Sequence, residues 1–154
     1  MPDQRYTLAR PWSKIYKHII YLTPTFANPS MKVVSLRRRE QLVRLARRYD
    51  ALIVSDDVYD FLQWPSDPSA ELHTHETAPV PRLVDVDRYL DGGPIDSWGN
   101  AVSNGSFSKL LGPGVRTGWA EGTDKWAYGL SQAYVFLIQR EIRNTGGKPE
   151  LIAS

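Results

Sequence analysis

The stretch from His18 to Val54 constrains the fold of this chain more than any other, because it alternates two apolar runs around one amphipathic segment. His18-Ile19-Ile20-Tyr21-Leu22 is short, apolar and rich in β-branched residues, and it stops at Thr23-Pro24, the pattern of a buried strand that runs into a loop. Ser35 can cap a helix extending to Tyr49, in which Leu42, Leu45, Ala46 and Tyr49 fall at the i, i+3, i+4, i+7 spacing of one buried stripe. Its other face carries Arg37, Arg38, Arg39, Arg44, Arg47 and Arg48 and reads as solvated. After a single aspartate comes Ala51-Leu52-Ile53-Val54, a near-continuous apolar run of the kind found in parallel strands covered on both faces. The expected unit is βαβ, within an α/β fold whose sheet is mostly parallel.

The rest of the chain continues this alternation. Residues from Trp64 to Pro81 are rich in Pro, Ser, His and acidic groups without periodicity, and read as a surface excursion. Leu83-Val84-Asp85-Val86 suggests a short strand, Gly92-Gly93-Pro94 a turn, Ala101-Val102-Ser103 a strand, and Thr117-Gly118-Trp119-Ala120 its partner. A helix is expected from Thr123, as cap, to Asn144, ended by Gly146-Gly147 and Pro149. There is no internal repeat. At 154 residues and 42% hydrophobic, the chain can bury a core as one globular domain. The net charge of +2 is too small to favour nucleic acid, and the arginines gathered on one helix suit a wet face better than a binding surface. With no cysteine, disulfides, thiolate metal sites and thiol nucleophiles are excluded. Met1 to Trp12 is polar and proline-punctuated, unlike a signal peptide or a membrane span, so no membrane partner and a cytoplasmic location are expected. The sequon Asn104-Gly105-Ser106 is then expected to stay unmodified.

Chemistry concentrates after the third strand, at Ser106-Phe107-Ser108-Lys109 followed by Gly112, Pro113, Gly114 and Arg116. A lysine in a small-residue turn suits an amine that forms an imine, and burial or nearby cationic charge favours the neutral amine that attacks an aldehyde. The Ser106 and Ser108 hydroxyls and the loop amides can donate to phosphate oxygens, and Arg116 offers a planar fork for the same group. An imine-forming lysine beside a phosphate cradle points to pyridoxal 5'-phosphate. Asp56 stands at the carboxyl end of an apolar strand, where open α/β sheets bind ligands, and a carboxylate there can keep a pyridine nitrogen protonated. Tyr59 and Asn28 can each donate to the ring's phenolic oxygen. Each group has a plainer reading: Lys109 as a surface residue, Asp56 as a cap or turn, Tyr59 as a packed ring and Asn28-Pro29 as a turn. Asp57 raises the idea of a carboxylate pair or metal site, which the opposite pointing of adjacent strand residues disfavours. Gly112, Gly114 and Gly118 do not make a dinucleotide fingerprint, His73 and His75 lack a third metal ligand, and Trp98, Trp119 and Trp126 read as packing residues.

On these residues the chain resembles the large domain of the class I/II aminotransferases, the fold-type-I pyridoxal phosphate enzymes, and within them the fungal branch similar to 2-aminoadipate and aromatic aminotransferases. The blocks from Tyr21 through Asn28-Pro29-Ser30, from Ser55 to Asp60 and from Gly105 to Trp119 resemble three family blocks in the right order. The resemblance implies a partial three-layer αβα domain. It also implies that Lys109 forms the imine with the cofactor and shuttles the proton, that Asp56 binds the ring nitrogen, and that Asn28 and Tyr59 bind the phenolic oxygen. Ser106, Ser108 and Arg116 would hold the phosphate. The implied activity is transfer of an amino group between an amino acid and a 2-oxo acid, in amino-acid metabolism, by an enzyme that is a homodimer when complete.

The resemblance runs over 16–132, flanked by an N-terminal extension at 1–15 and a divergent helix and tail at 133–154. The family's Asn-Pro-Thr-Gly stands here as Asn28-Pro29-Ser30-Met31, with a hydroxyl kept and a glycine lost. Family members carry an upstream part and a C-terminal small domain that supplies the arginine for the substrate carboxylate; Arg140 and Arg143 do not match that role. The chain is therefore expected to be truncated. Two rival expectations are a catalytically inactive fragment and the effector domain of an aminotransferase-like transcription regulator, the latter ranked last because no DNA-binding segment precedes residue 16.

Overall fold

The computed structural model describes residues 13–62 and 80–132. The first strand, β1 (His18–Leu22), runs parallel to β2 (Ala51–Asp56), with His18 opposite Ala51 and Leu22 opposite Ser55. Between them lies α1 (Leu36–Tyr49). Asp50 ends it in the left-handed conformation, φ 51°, and returns its N–H to the Ala46 and Arg47 carbonyls, so β2 begins one residue after the helix. β3 (Ala101–Ser106) runs parallel to β2 and β4 (Gly118–Glu121) antiparallel to β3, giving the order β1-β2-β3-β4. The expected βαβ unit and mostly parallel sheet are present.

The stripe expected on α1 is displaced. Its buried residues are Arg39, Val43 and Ala46, whereas Leu45 and Tyr49 are 45% and 51% exposed. The arginine face is correspondingly not all wet. Fully buried Arg39 donates from Nε to the Val34 carbonyl (2.9 Å), from Nη1 to Pro81 (3.1 Å), and from Nη2 to the Pro24 carbonyl (3.3 Å) and Thr25 Oγ1 (2.8 Å). A buried guanidinium persists because acceptors surround it. Ser35 is the N-cap residue, although its side chain makes no capping bond.

Leu83-Val84-Asp85-Val86 is not a strand but the start of α2 (Leu83–Tyr89). Asp85 Oδ2 accepts from the Arg82 amide at 3.0 Å and places negative charge in the first turn. Leu83, Val86 and Leu90 then share one face, and with Val43, Ala46, Ala51, Ile53 and Ala101 they form the core between the two helices and the sheet. Ile20, Leu22 and Leu42 pack against it.

On β2, Ala51, Ile53 and Ser55 are buried on this helix-covered face. Leu52, Val54 and Asp56 lie half-buried on the other, so the expected burial on both faces is incomplete among the described residues. Residues 124–132 form a helix. Thr123 caps it as expected, its Oγ1 accepting from the Trp126 amide at 3.3 Å. Trp126 and Leu130 border a groove with Ile19 and Leu52, which completes three layers. Gly105 lies opposite Trp119, where any Cβ would collide with the indole. The expected end of the last helix, the excursion after Trp64, His73, His75, Arg140 and Arg143 lie outside the described residues. Among the described residues, no helix is long and apolar enough to cross a membrane.

Candidate functional site

Three parallel strands release their chains at the same end of the sheet, and each release carries one group of the predicted residues. After β1 the chain makes a tight turn, with the Met31 amide on the Ala27 carbonyl (2.6 Å) and Ala27 bridged to Lys32; exposed Asn28 sits in it. Met31, at the position of the missing glycine, adopts φ 56°. After β2 the Asp60 amide returns to the Asp57 carbonyl (3.2 Å) and the Leu62 amide to Tyr59 (3.0 Å), a double turn that presents Tyr59. After β3 the Leu110 and Leu111 amides return to the Phe107 carbonyl at 3.1 and 2.8 Å, presenting Ser108 and Lys109. Asn28 and Tyr59 line one cavity of about 380 Å³ with Phe26, Met31 and Leu62. The Lys109 amine stands 5.8 Å from the centre of the Tyr59 ring.

Asp56 and Asp57 have opposite environments, as expected for neighbours leaving a strand. Asp57 is 3% exposed, accepts from the Ser55 and Ser103 hydroxyls, and has its carboxyl pushed up by burial. Asp56 accepts at Oδ2 from the Tyr21 hydroxyl (2.8 Å), while its Oδ1 is buried and has no hydrogen-bond partner among the described residues. A buried carboxylate oxygen without a donor is costly unless a ligand supplies one. Among the described residues no group of three potential metal ligands is assembled.

The phosphate candidates are less closely gathered. Ser106 Oγ accepts from the Ser108 amide (3.1 Å), which leaves its own hydroxyl proton free to donate. Arg116 precedes β4 in the left-handed region, φ 50°, exposed and with no hydrogen bond or ion pair among the described residues. Trp119 packs on Phe107 with centroids 5.0 Å apart and stiffens the base of the lysine turn. An orphaned carboxylate oxygen, a free lysine amine, two amide or hydroxyl donors and an uncommitted guanidinium fit a pyridine ring bearing an aldehyde, a phenolic oxygen and a phosphate.

Sequence reasoning passed over Tyr21, whose hydroxyl donates to Asp56, and the apolar cavity wall of Phe26, Met31 and Leu62. The signal for Tyr21 was strand register: Tyr21 is opposite Val54, so Asp56 lies two residues along the same face.

Comparison with known proteins identifies the family. An uncharacterized protein of Saccharomyces cerevisiae is 47% identical over 108 residues, which cover 70% of this chain and 23% of that protein. An aromatic amino acid aminotransferase of Schizosaccharomyces pombe is 34% identical over 113 residues, covering 68% of this chain and 22% of the relative. Among solved structures, the α-aminoadipate aminotransferase of Thermus thermophilus, complexed with N-(5'-phosphopyridoxyl)-L-leucine, superposes with a TM-score of 0.56 at 30% identity, over 75% of this chain and 25% of that one. The chain thus spans about a quarter of the length of the relatives it matches. The family model for aminotransferase class I and II matches residues 6–139, and the chain belongs to that family.

Proposed function

We propose that this chain carries the cofactor-holding part of a pyridoxal 5'-phosphate-dependent aminotransferase, which moves an amino group between an amino acid and a 2-oxo acid. The observation that carries this reading is the buried Oδ1 of Asp56, without a hydrogen-bond partner among the described residues, at the same end of the sheet from which the turns bearing Asn28, Tyr59 and Lys109 leave. The family and the phosphopyridoxyl adduct held by a relative support it. The bound cofactor supplies an electron sink for negative charge developing at the substrate's α-carbon. Asp56 accepts a hydrogen bond from the ring nitrogen and, as an anion, keeps the proton there. The Asn28 amide and Tyr59 hydroxyl donate to the phenolic oxygen and orient the ring; Ser106, Ser108 and Arg116 grip the phosphate. Lys109 would take the proton from the substrate's α-carbon and return it one position away, after which water supplies the oxygen of the released 2-oxo acid and the amino nitrogen stays with the cofactor. A cytoplasmic location and a dimer of two copies belong to the same reading and rest on family likeness.

The second reading is a chain that holds the cofactor without turnover. Visible absorbance of the protein with pyridoxal phosphate, before and after borohydride, tests both. A yellow band that borohydride bleaches while leaving the cofactor covalently attached, and that is absent in Lys109→Ala, is the expected result, after which amino-acid turnover separates enzyme from inert holder. No Lys109-dependent band refutes the cofactor assignment for this chain.

A further inference from the structure

The two oxygens of Asp56 are not equivalent. Oδ2 accepts from the Tyr21 hydroxyl at 2.8 Å, whereas Oδ1 is buried and has no hydrogen-bond partner among the described residues. The neighbouring carboxylate, Asp57, is instead occupied at both oxygens by Ser55 and Ser103. A carboxylate turns about a broad, nearly two-fold torsion, so one donor on one oxygen decides which oxygen is left for anything else. We propose that Tyr21 is a positioning residue: its hydroxyl holds Asp56 so that Oδ1 is presented to the ring nitrogen of the cofactor. This rests on the function proposed above and adds to it a residue outside the resembling cofactor contacts.

Packing does not account for Tyr21, which is 65% exposed. Its hydroxyl was not forced to find a partner by burial; water was available, and it bonds Asp56 instead. The electrostatics agree, since the Asp56 carboxylate holds the proton on the phenol and raises its titration above the ordinary range. Removing this hydroxyl therefore perturbs the fold little while freeing the carboxylate, which makes Tyr21→Phe a clean substitution.

The test uses pyridoxamine phosphate, which has no aldehyde and so reads the ring and phosphate contacts independently of Lys109. Its dissociation constant is measured by calorimetry for the wild-type chain, Tyr21→Phe, Asp56→Asn and the double variant. Tyr21→Phe is expected to weaken binding by about tenfold, the share of a charge-assisted bond that positioning controls, and to cause no further loss in the Asp56→Asn background. A cofactor-free measurement accompanies it: in protein labelled at tyrosine Cζ, the Tyr21 phenol should titrate above the ordinary ~10 and fall back in Asp56→Asn. An ordinary titration in the wild type, unchanged binding by Tyr21→Phe, or an equal loss in the Asp56→Asn background overturns the inference alone. No binding by the wild type overturns the proposed function and this inference with it.

Discussion

Asp87 is the side chain whose loss should cost the fold most. It is 2% exposed and accepts four hydrogen bonds. Oδ2 takes the Asn100 and Ala101 amides at 2.7 and 3.2 Å; Oδ1 takes Nε and Nη2 of Arg47 at 3.1 and 2.9 Å. The pair joins α1, α2 and the start of β3 at one point, with side-chain exposures of 8% for Arg47 and 3% for Asp87. In Asp87→Asn the amide oxygen can still accept from the two backbone N–H groups, but an NH₂ then faces the guanidinium. Breaking one side of a buried pair costs about 3–5 kcal/mol. Arg47 keeps the carbonyls of Asp87 and Leu90 at 2.8 and 2.9 Å, which places the expected loss at the low end, about 3 kcal/mol. Asp87→Ala also strands two buried amides at roughly 1–3 kcal/mol each and should consume most of a stability of about 5–15 kcal/mol. Urea unfolding followed by tryptophan fluorescence measures this. In an Arg47→Met background the same Asp87→Asn change should cost far less, because the uncompensated cation is gone. A loss below about 1 kcal/mol in the wild-type background, or equal losses in both, would refute the reasoning.

Two further outcomes follow from buried charge and backbone conformation. Asp60 is 1% exposed, and burial, then the Asp57 charge, pushes its carboxyl up to about 6, against the partial relief of the Thr25 hydroxyl, Arg39 and Arg82. The folded state thus binds this proton more tightly than the unfolded chain, and the stability it confers at acid pH is lost as pH rises through about 6. Asp60→Asn should therefore stabilise by on the order of 2 kcal/mol at pH 7.5 and by little near pH 4, and parallel wild-type and variant curves of urea midpoint against pH would rule this out. Met31 is 70% exposed and held at φ 56°, which costs a non-glycine residue about 1–2 kcal/mol. Met31→Gly should raise the thermal midpoint by the equivalent of roughly 0.5–1 kcal/mol after the entropy of a freer unfolded chain, and a lowered midpoint would mean that Met31 contacts outweigh the strain.

The alternation of strand and helix was legible because its determinants are local. Apolar runs of β-branched residues make β1 and β2, and a lone aspartate that tolerates the left-handed region makes the turn between α1 and β2. What failed depended on partners far along the chain. Leu83-Val84-Asp85-Val86 alternates like a strand, and only α1 with β2 and β3 beneath reveals that Leu83, Val86 and Leu90 form a helix face. The stripe on α1 was misplaced for the same cause. Arg39 reads as solvated until the carbonyls of Pro24, Val34 and Pro81 are seen around it, and no pattern within the helix supplies them.

The same division runs through the site. Lys109, Asp56, Tyr59 and Asn28 stand out as candidates because residue type, placed after an apolar strand, already limits what the chemistry can be. What fixes them does not. The turn that presents Tyr59 is held from behind by Asp57 on Ser55 and Ser103, and the loop that carries Asn28 is tied through Thr25 to Arg39. These groups lie buried against the helices while the residues they support face the open ends of the strands. Strand period explains the split: a one-residue step from Asp56 to Asp57 moves a carboxylate from the open face, where one oxygen lacks a partner, to the covered face, where both are filled. A one-residue insertion before Asp56 would move its carboxylate to the covered face and, on the proposed function, remove the ring nitrogen's acceptor. The spacing from Ala51 to Asp56, not the aspartate alone, is therefore what places an acceptor at the end of the sheet.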